Sequence, residues 1–187
     1  MTPMVFEAGD RLTVRLRSTT SFENGTNVTW ALTQADSKGR EKERQSMDLN
    51  ELVTKVLSLQ SFAGASSVTV TSTLEPNLPV VQLDPELVSS VVENLVKNAF
   101  EAMPSGGSIT IATARAGEHL SLSVTDTGHG MDPRTREQAF ELFFTTKATG
   151  SGLGLAFVGR VATAHHGSAR LEAVEPHGTR VVLTLQT

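Results

Sequence analysis

The chain has 187 residues, of which 39% are hydrophobic and 19% charged, the composition of one globular domain, or of one domain with an appendage, around a real core. A formal net charge of −4 gives no electrostatic reason to expect nonspecific binding to nucleic acid or to an anionic membrane. The lack of cysteine excludes disulfides and thiolate metal sites, no apolar run approaches the roughly 20 residues that span a bilayer, and no signal-peptide core opens the chain, so a cytoplasmic protein is expected.

In chain order, residues 1–46 are polar and strand-like. Leu12, Val14 and Leu16 alternate with polar residues, and Val28, Trp30 and Leu32 alternate again after the turn signal Asn24-Gly25, which predicts a hairpin. The charged stretch from Asp36 to Ser46 reads as a linker or as the end of an exposed helix. Residues 1–46 therefore stand as an unassigned segment, and the domain proper is placed at 47–187.

From Asp48 helices alternate with strands. Asp48 caps a segment with Leu49, Leu52, Val53, Val56 and Leu59 at helical spacing, and Ser67 to Leu74 alternates as a strand does. Asp84-Pro85-Glu86 is a helix start, with Asp as N-cap and Pro at the first helical position. That helix should reach about Met103, before Pro104 and Gly106-Gly107. Strands are expected over Ser108–Thr113 and Leu120–Thr125, then a long glycine-punctuated loop, a helix over Leu153–Ala164, and strands over Ala169–Val174 and Thr179–Leu185. This order predicts helices packed on one face of a mixed sheet.

Three places carry chemistry. On the second helix Ser90, Asn94, Lys97, Asn98 and Glu101 share a face. Such a face is also an ordinary wet surface. Two asparagines four apart, however, are poor helix formers, and their stacked amide oxygens suit a Mg²⁺ ion already held by phosphates. Next, Val124-Thr-Asp126-Thr-Gly128-His-Gly130 ends a strand in a carboxylate and continues through two glycines. A buried carboxylate there can accept the amino group of adenine while the glycines let the loop wrap the ring; a plain Asp-Gly turn has the same letters. Asp-Thr-Gly also occurs in aspartic proteases, but that chemistry needs a second such carboxylate and leaves the asparagines without a use. Third, Gly150-Ser-Gly152-Leu-Gly154 precedes an apolar helix, so backbone N–H groups and the helix dipole converge on one point, the layout of a phosphate cradle. It is neither a P-loop nor a dinucleotide fingerprint.

Taken in order, Asn94…Asn98, Asp126-x-Gly128-x-Gly130, Phe140-x-x-Phe143-Phe144-Thr-Thr-Lys147 and Gly150-x-Gly152-Leu-Gly154-Leu resemble the N, G1, F and G2 boxes of the sensor histidine kinase ATP-binding domain. That domain belongs to a superfamily with gyrase B, mismatch-repair and heat-shock-chaperone ATPases. Gly178-Thr179 is similar to a last, weaker box, and Phe-Phe-Thr-Thr-Lys looks most like the nitrogen-regulation type of sensor kinase. The resemblance covers the chain from about Asp48. It implies a Bergerat-type α+β fold, a two-layer α/β sandwich with about five strands in a mixed sheet and three helices on one face, and a lid over residues 131–149. It also implies ATP and Mg²⁺ as cofactors: Asn98 on the metal, Asn94 in support, Asp126 on adenine with Gly128 and Gly130 around the ring, and Thr179 behind Asp126. Lys147, Gly150, Gly152, Leu153 and Gly154 would meet the phosphates, with Asn98 and Lys147 as the catalytic pair.

True ATPases of the superfamily carry a glutamate four residues before the metal-binding asparagine, to activate water. Here that place is Asn94, and Glu93 is rotated about 100° away, which favours kinase over ATPase. None of the five histidines, His119, His129, His165, His166 and His177, has the helical context of a phosphoacceptor. His165-His166-Gly167 reads as a helix C-terminal cap with a favourable dipole contact. The resemblance then implies transfer to a histidine on a dimerisation domain, in cis or in trans, with a response regulator downstream. The alternatives are a serine kinase of the anti-sigma-factor type and a non-catalytic, ATP-dependent interaction module.

Overall fold

A computed structural model describes residues 44–59, 67–147 and 150–186. The chain divides at residues 43 and 44, and every described residue lies in the second unit, Arg44–Thr187. The hairpin expected around Asn24-Gly25 and most of the charged stretch fall outside the described residues. The end of that stretch is not linker: Gln45–Met47 is a strand, β1, paired antiparallel with β3, Val81–Leu83. Three residues are too few to display a period, so this two-stranded sheet was not expected.

The helices begin where carboxylates satisfy their first N–H groups. Asp48 Oδ1 accepts the N–H of Asn50 at 2.8 Å, opening α1 (Leu49–Leu59), which buries Leu49, Leu52, Val53 and Val56. Asp84 Oδ1 accepts the N–H groups of Glu86 and Leu87 at 3.0 and 3.1 Å, opening α2 (Pro85–Glu101). The segment read as a continuous loop contains a short helix, α3 (Pro133–Gln138), capped by Asp132; Asp132-Pro133 repeats the Asp84-Pro85 start signal. The last helix, α4 (Gly154–Ala164), starts without a side-chain cap. It ends in a Schellman turn: His166 is left-handed at φ 54°, the Gly167 N–H donates to Ala162 O at 2.9 Å, and the His166 N–H donates to Thr163 O at 3.0 Å.

The remaining strands are β2 (Val68–Leu74), β4 (Gly107–Ala116), β5 (His119–Asp126), β6 (Ala169–Ala173) and β7 (Thr179–Gln186), which form one sheet in the order β2-β4-β5-β7-β6. β2 runs parallel to β4, and the other pairs are antiparallel, so the sheet is mixed as expected. The residues of β5 and β7 that join the core under the helices, Leu120, Leu122, Val124, Val181, Leu183 and Leu185, recur at every second position, while Ser123 and Val182 between them are buried as well. Leu120 pairs with Leu185, Leu122 with Leu183 and Val124 with Val181 across the two strands. These rungs pack with Val88, Val91, Val92 and Leu95 of α2 and with Val158, Val161 and Ala162 of α4 in one core. Each fully buried aliphatic side chain contributes about 1.5–3 kcal/mol. The result is the predicted α+β two-layer sandwich, with the short α3 added to the three long helices.

Candidate active site

The apolar rungs of β5 and β7 end in a polar one, Asp126 opposite Thr179. Asp126 is only 6% exposed. Its Oδ1 accepts the N–H of Gly128 at 2.8 Å and that of Thr179 at 3.3 Å. Burial pushes its carboxyl above the usual carboxylate range; the two backbone N–H groups and the nearby His129 offset this only in part. Oδ2 makes no hydrogen bond among the described residues. The Gly178 backbone is what brings Thr179 this close: a Cβ on Gly178 would lie 2.2 Å from Asp126 O, at φ 133°. The loop after Asp126 is tied to the end of α2, where the His129 N–H donates to Ala102 O at 3.2 Å, and to His177, whose ring Nδ1–H donates to Gly128 O at 3.0 Å. Gly130 completes this group, its backbone packed against Gly178.

About one and two turns back from Ala102 along α2 lie Asn98 and Asn94. The Asn94 amide donates to Ser90 O at 2.8 Å, which leaves its oxygen turned toward the start of α4. A Cβ on Gly154 would meet Asn94 Oδ1 at 3.2 Å and Asn98 Nδ2 at 3.7 Å, so the first residue of α4 sits directly over the asparagine pair. α2 and α3 are capped by Asp84 and Asp132, whereas the first N–H groups of α4 have no side-chain acceptor and point where an anion would be held.

The chain reaches Gly154 through an exposed turn. Phe143, 66% exposed, is left-handed at φ 66°, and its N–H donates to Gly152 O at 3.0 Å. Gly152, at φ 67°, lies so close that a Cβ there would fall 2.3 Å from Phe143 C. Leu153 is half-buried and its carbonyl accepts the Phe157 N–H at 2.9 Å. Phe140 anchors the same segment on α4 beside Gly159. Lys147 follows: its N–H donates to Thr145 Oγ1 at 3.1 Å, and its carbonyl accepts the Gly150 N–H at 3.1 Å. Its ammonium donates to Asn98 Oδ1 at 3.3 Å and makes a close ion pair with Glu101. The Asn98 oxygen thus already faces a cation, which is the donor chemistry that an oxygen-seeking metal requires.

The predicted residues therefore fall into two groups joined by α2. Asn94, Asn98, Lys147 and Gly154 meet at one end, with Gly150, Gly152 and Leu153 shaping the approach; Asp126, Gly128, Gly130 and Thr179 meet at the other. Of the segment read as a lid, Ala148 and Thr149 lie outside the described residues. His165, read as part of a helix C-terminal cap, is the C-cap of α4. It is buried, its Nδ1–H donates to Val161 O at 2.8 Å, and its Nε2 accepts the Asp84 N–H at 3.1 Å, an arrangement only the neutral ring can make. Among the described residues no three His, Asp or Glu side chains form a metal cluster, and no helix is long and apolar enough to cross a membrane. Sequence reasoning passed over the left-handed Phe143 and the His177 contact, which carry no local sequence signal.

The family model described as histidine kinase-, DNA gyrase B- and HSP90-like ATPase matches residues 83–187, more than half of the chain. The sensor histidine kinase ZraS of Escherichia coli O157:H7 is 36% identical over 142 residues, covering 75% of this chain and 31% of that protein. The chain spans about a third of the length of the curated relatives it matches. The nucleotide-free catalytic domain of histidine kinase ThkA superposes with a TM-score of 0.70 at 27% identity, over 77% of this chain and 95% of that one. Full-length ShkA, solved in complex with AMPPNP, superposes with a TM-score of 0.67 at 25% identity, over 76% of this chain and 30% of that one. The chain belongs to the histidine kinase-, DNA gyrase B- and HSP90-like ATPase family, as an ATP-binding catalytic domain of the sensor histidine kinase kind.

Proposed function

We propose that residues 47–187 act in the cytoplasm as the catalytic domain of a two-component sensor kinase of the nitrogen-regulation type. It would transfer the γ-phosphoryl group of Mg-ATP to a histidine on a dimerisation domain, in cis or in trans, from which a response regulator is served. The observation that carries this reading is the seating of Gly154, at the uncapped start of α4, directly on the Asn94/Asn98 pair. It sets oxygen ligands and backbone N–H donors around one point, as a metal–triphosphate requires. The AMPPNP held by the structurally similar ShkA supports the same ligand class.

In this reading Asp126 Oδ2 accepts the adenine amino group, because Oδ1 is already engaged by Gly128 and Thr179. Gly128 and Gly130 carry the backbone around the ring, and Thr179 holds the carboxylate in place. Asn98 Oδ1 holds Mg²⁺, with Asn94 in support; the bound metal supplies charge neutralisation on the phosphates. The backbone at Gly150, Gly152, Leu153 and Gly154 receives phosphate oxygens, and Lys147 reaches the γ-phosphoryl group. With Asn94 where a base for water would stand, ATP waits for a nitrogen nucleophile.

Calorimetric titration of the chain with ATP should show binding that is weakened by EDTA, and Asn98→Ala should abolish that metal dependence. Radiolabelled ATP with a histidine-bearing helical hairpin in trans should yield acid-labile phosphate on the hairpin. Acid-stable label, as on serine, or no transfer to any hairpin would count against the histidine acceptor.

A further inference from the structure

Glu101 has no role in the scheme above, yet it organises the cations of the site. It stands three residues after Asn98 on the wet face of α2, and its Oε2 is ion-paired with Lys147 Nζ while Lys97 Nζ lies 3.9 Å from its Oε1. Lys147 donates at the same time to Asn98 Oδ1, the oxygen assigned above to the metal, at 3.3 Å. An ammonium and a dication at one amide oxygen repel each other, so both cannot be held there closely. The Lys147 backbone is independently fixed by Thr145 and Gly150, which keeps the side chain within reach of α2.

We propose that Glu101 is a positioning residue: in the nucleotide-free protein it stations Lys147 against Asn98, and Mg-nucleotide binding exchanges the carboxylate partner of Lys147 for a phosphate. This rests on the ATP-site reading and adds to it an internal cation that guards the metal position. The pair is suited to an exchange. The side chains of Lys147 and Glu101 are 39% and 40% exposed, so water screens their attraction and a triphosphate with its dication outcompetes it. The contact keeps Lys147 next to the site without barring the ligand.

The test uses the full chain and two readouts. Without nucleotide, limiting acetic anhydride should label Lys147 about two- to fivefold faster, relative to Lys55, in Glu101→Gln than in the wild type, as expected when a weak ion pair is removed. In calorimetry with Mg-AMPPNP, Glu101→Gln should bind about two- to fivefold more tightly, and this gain should vanish in a Lys147→Ala background. Unchanged labelling overturns the station. A gain that persists without the Lys147 ammonium also overturns it, since Glu101 would then act only by repelling phosphate. A wild-type chain that binds no Mg-nucleotide would overturn the ATP-site reading and the exchange together, whereas binding without coupling overturns the exchange alone.

Discussion

His165 Nε2 accepts the backbone N–H of Asp84 at 3.1 Å across 81 residues of chain, joining the C-terminal end of α4 to the N-cap of α2. These two helices carry the proposed phosphate cradle and the asparagine pair. Their relative position is therefore fixed by a buried contact remote from either. His165→Ala removes this bond and the one to Val161 and leaves a cavity beside a buried N–H. A loss of about 2–4 kcal/mol is expected in urea unfolding. A change within a few tenths of a kcal/mol would mean the tether is incidental.

The burial of Asp126, the proposed adenine reader, also bears on stability. Its pKa is raised in the folded chain by burial, so between the ordinary value of 3.8 and the raised one the folded state binds more protons than the unfolded. Stability contributed by the protonated form is present at low pH and is lost as pH rises through that window. Asp126→Asn should therefore unfold at a higher urea concentration than the wild type at neutral pH, with the advantage shrinking toward pH 3.8. The same variant should bind ATP about ten- to a hundredfold more weakly while binding inorganic triphosphate as before, because only the base contact is lost. Equal losses for both ligands would contradict the adenine assignment.

Gly154→Ala separates cradle from fold. The new methyl would press on Asn94 Oδ1 at 3.2 Å, at the point where phosphate is to be held. Alanine is otherwise the better helix former by about 1 kcal/mol, so thermal unfolding should not shift downward. Nucleotide affinity should fall about tenfold or more. Undiminished binding would place the phosphates elsewhere.

The chain alone should hydrolyse ATP very slowly, since Glu93 is exposed on another side of α2 and the Asn94 amide cannot take up a proton at neutral pH. Asn94→Glu sets a carboxylate at that position and should raise hydrolysis about tenfold or more. Brisk turnover by the unaltered chain would refute the missing-base argument.

Much of this was legible in the letters because its causes are local. Asp-Pro pairs start helices, alternating β-branched residues build strands, and paired asparagines with spaced glycines mark the proposed phosphate site. Even α3 was announced, by Asp132-Pro133, and only its brevity hid it. Other features have no local cause. β1 and β3 become strands only through each other. The Asp84–His165 bond and the seating of Gly154 on Asn94 depend on how α2 and α4 pack over one sheet. Periodicity and capping signals thus determined the element types, and the ordered motifs carried the resemblance to the family and with it the candidate site residues. Tertiary packing alone decided that Lys147 rests on Glu101 and Asn98, and that His165, besides capping α4, tethers it to the N-cap of α2. Hydrogen bonds and ion pairs between distant residues are selected by the three-dimensional arrangement of helices and strands, which no short window of sequence contains.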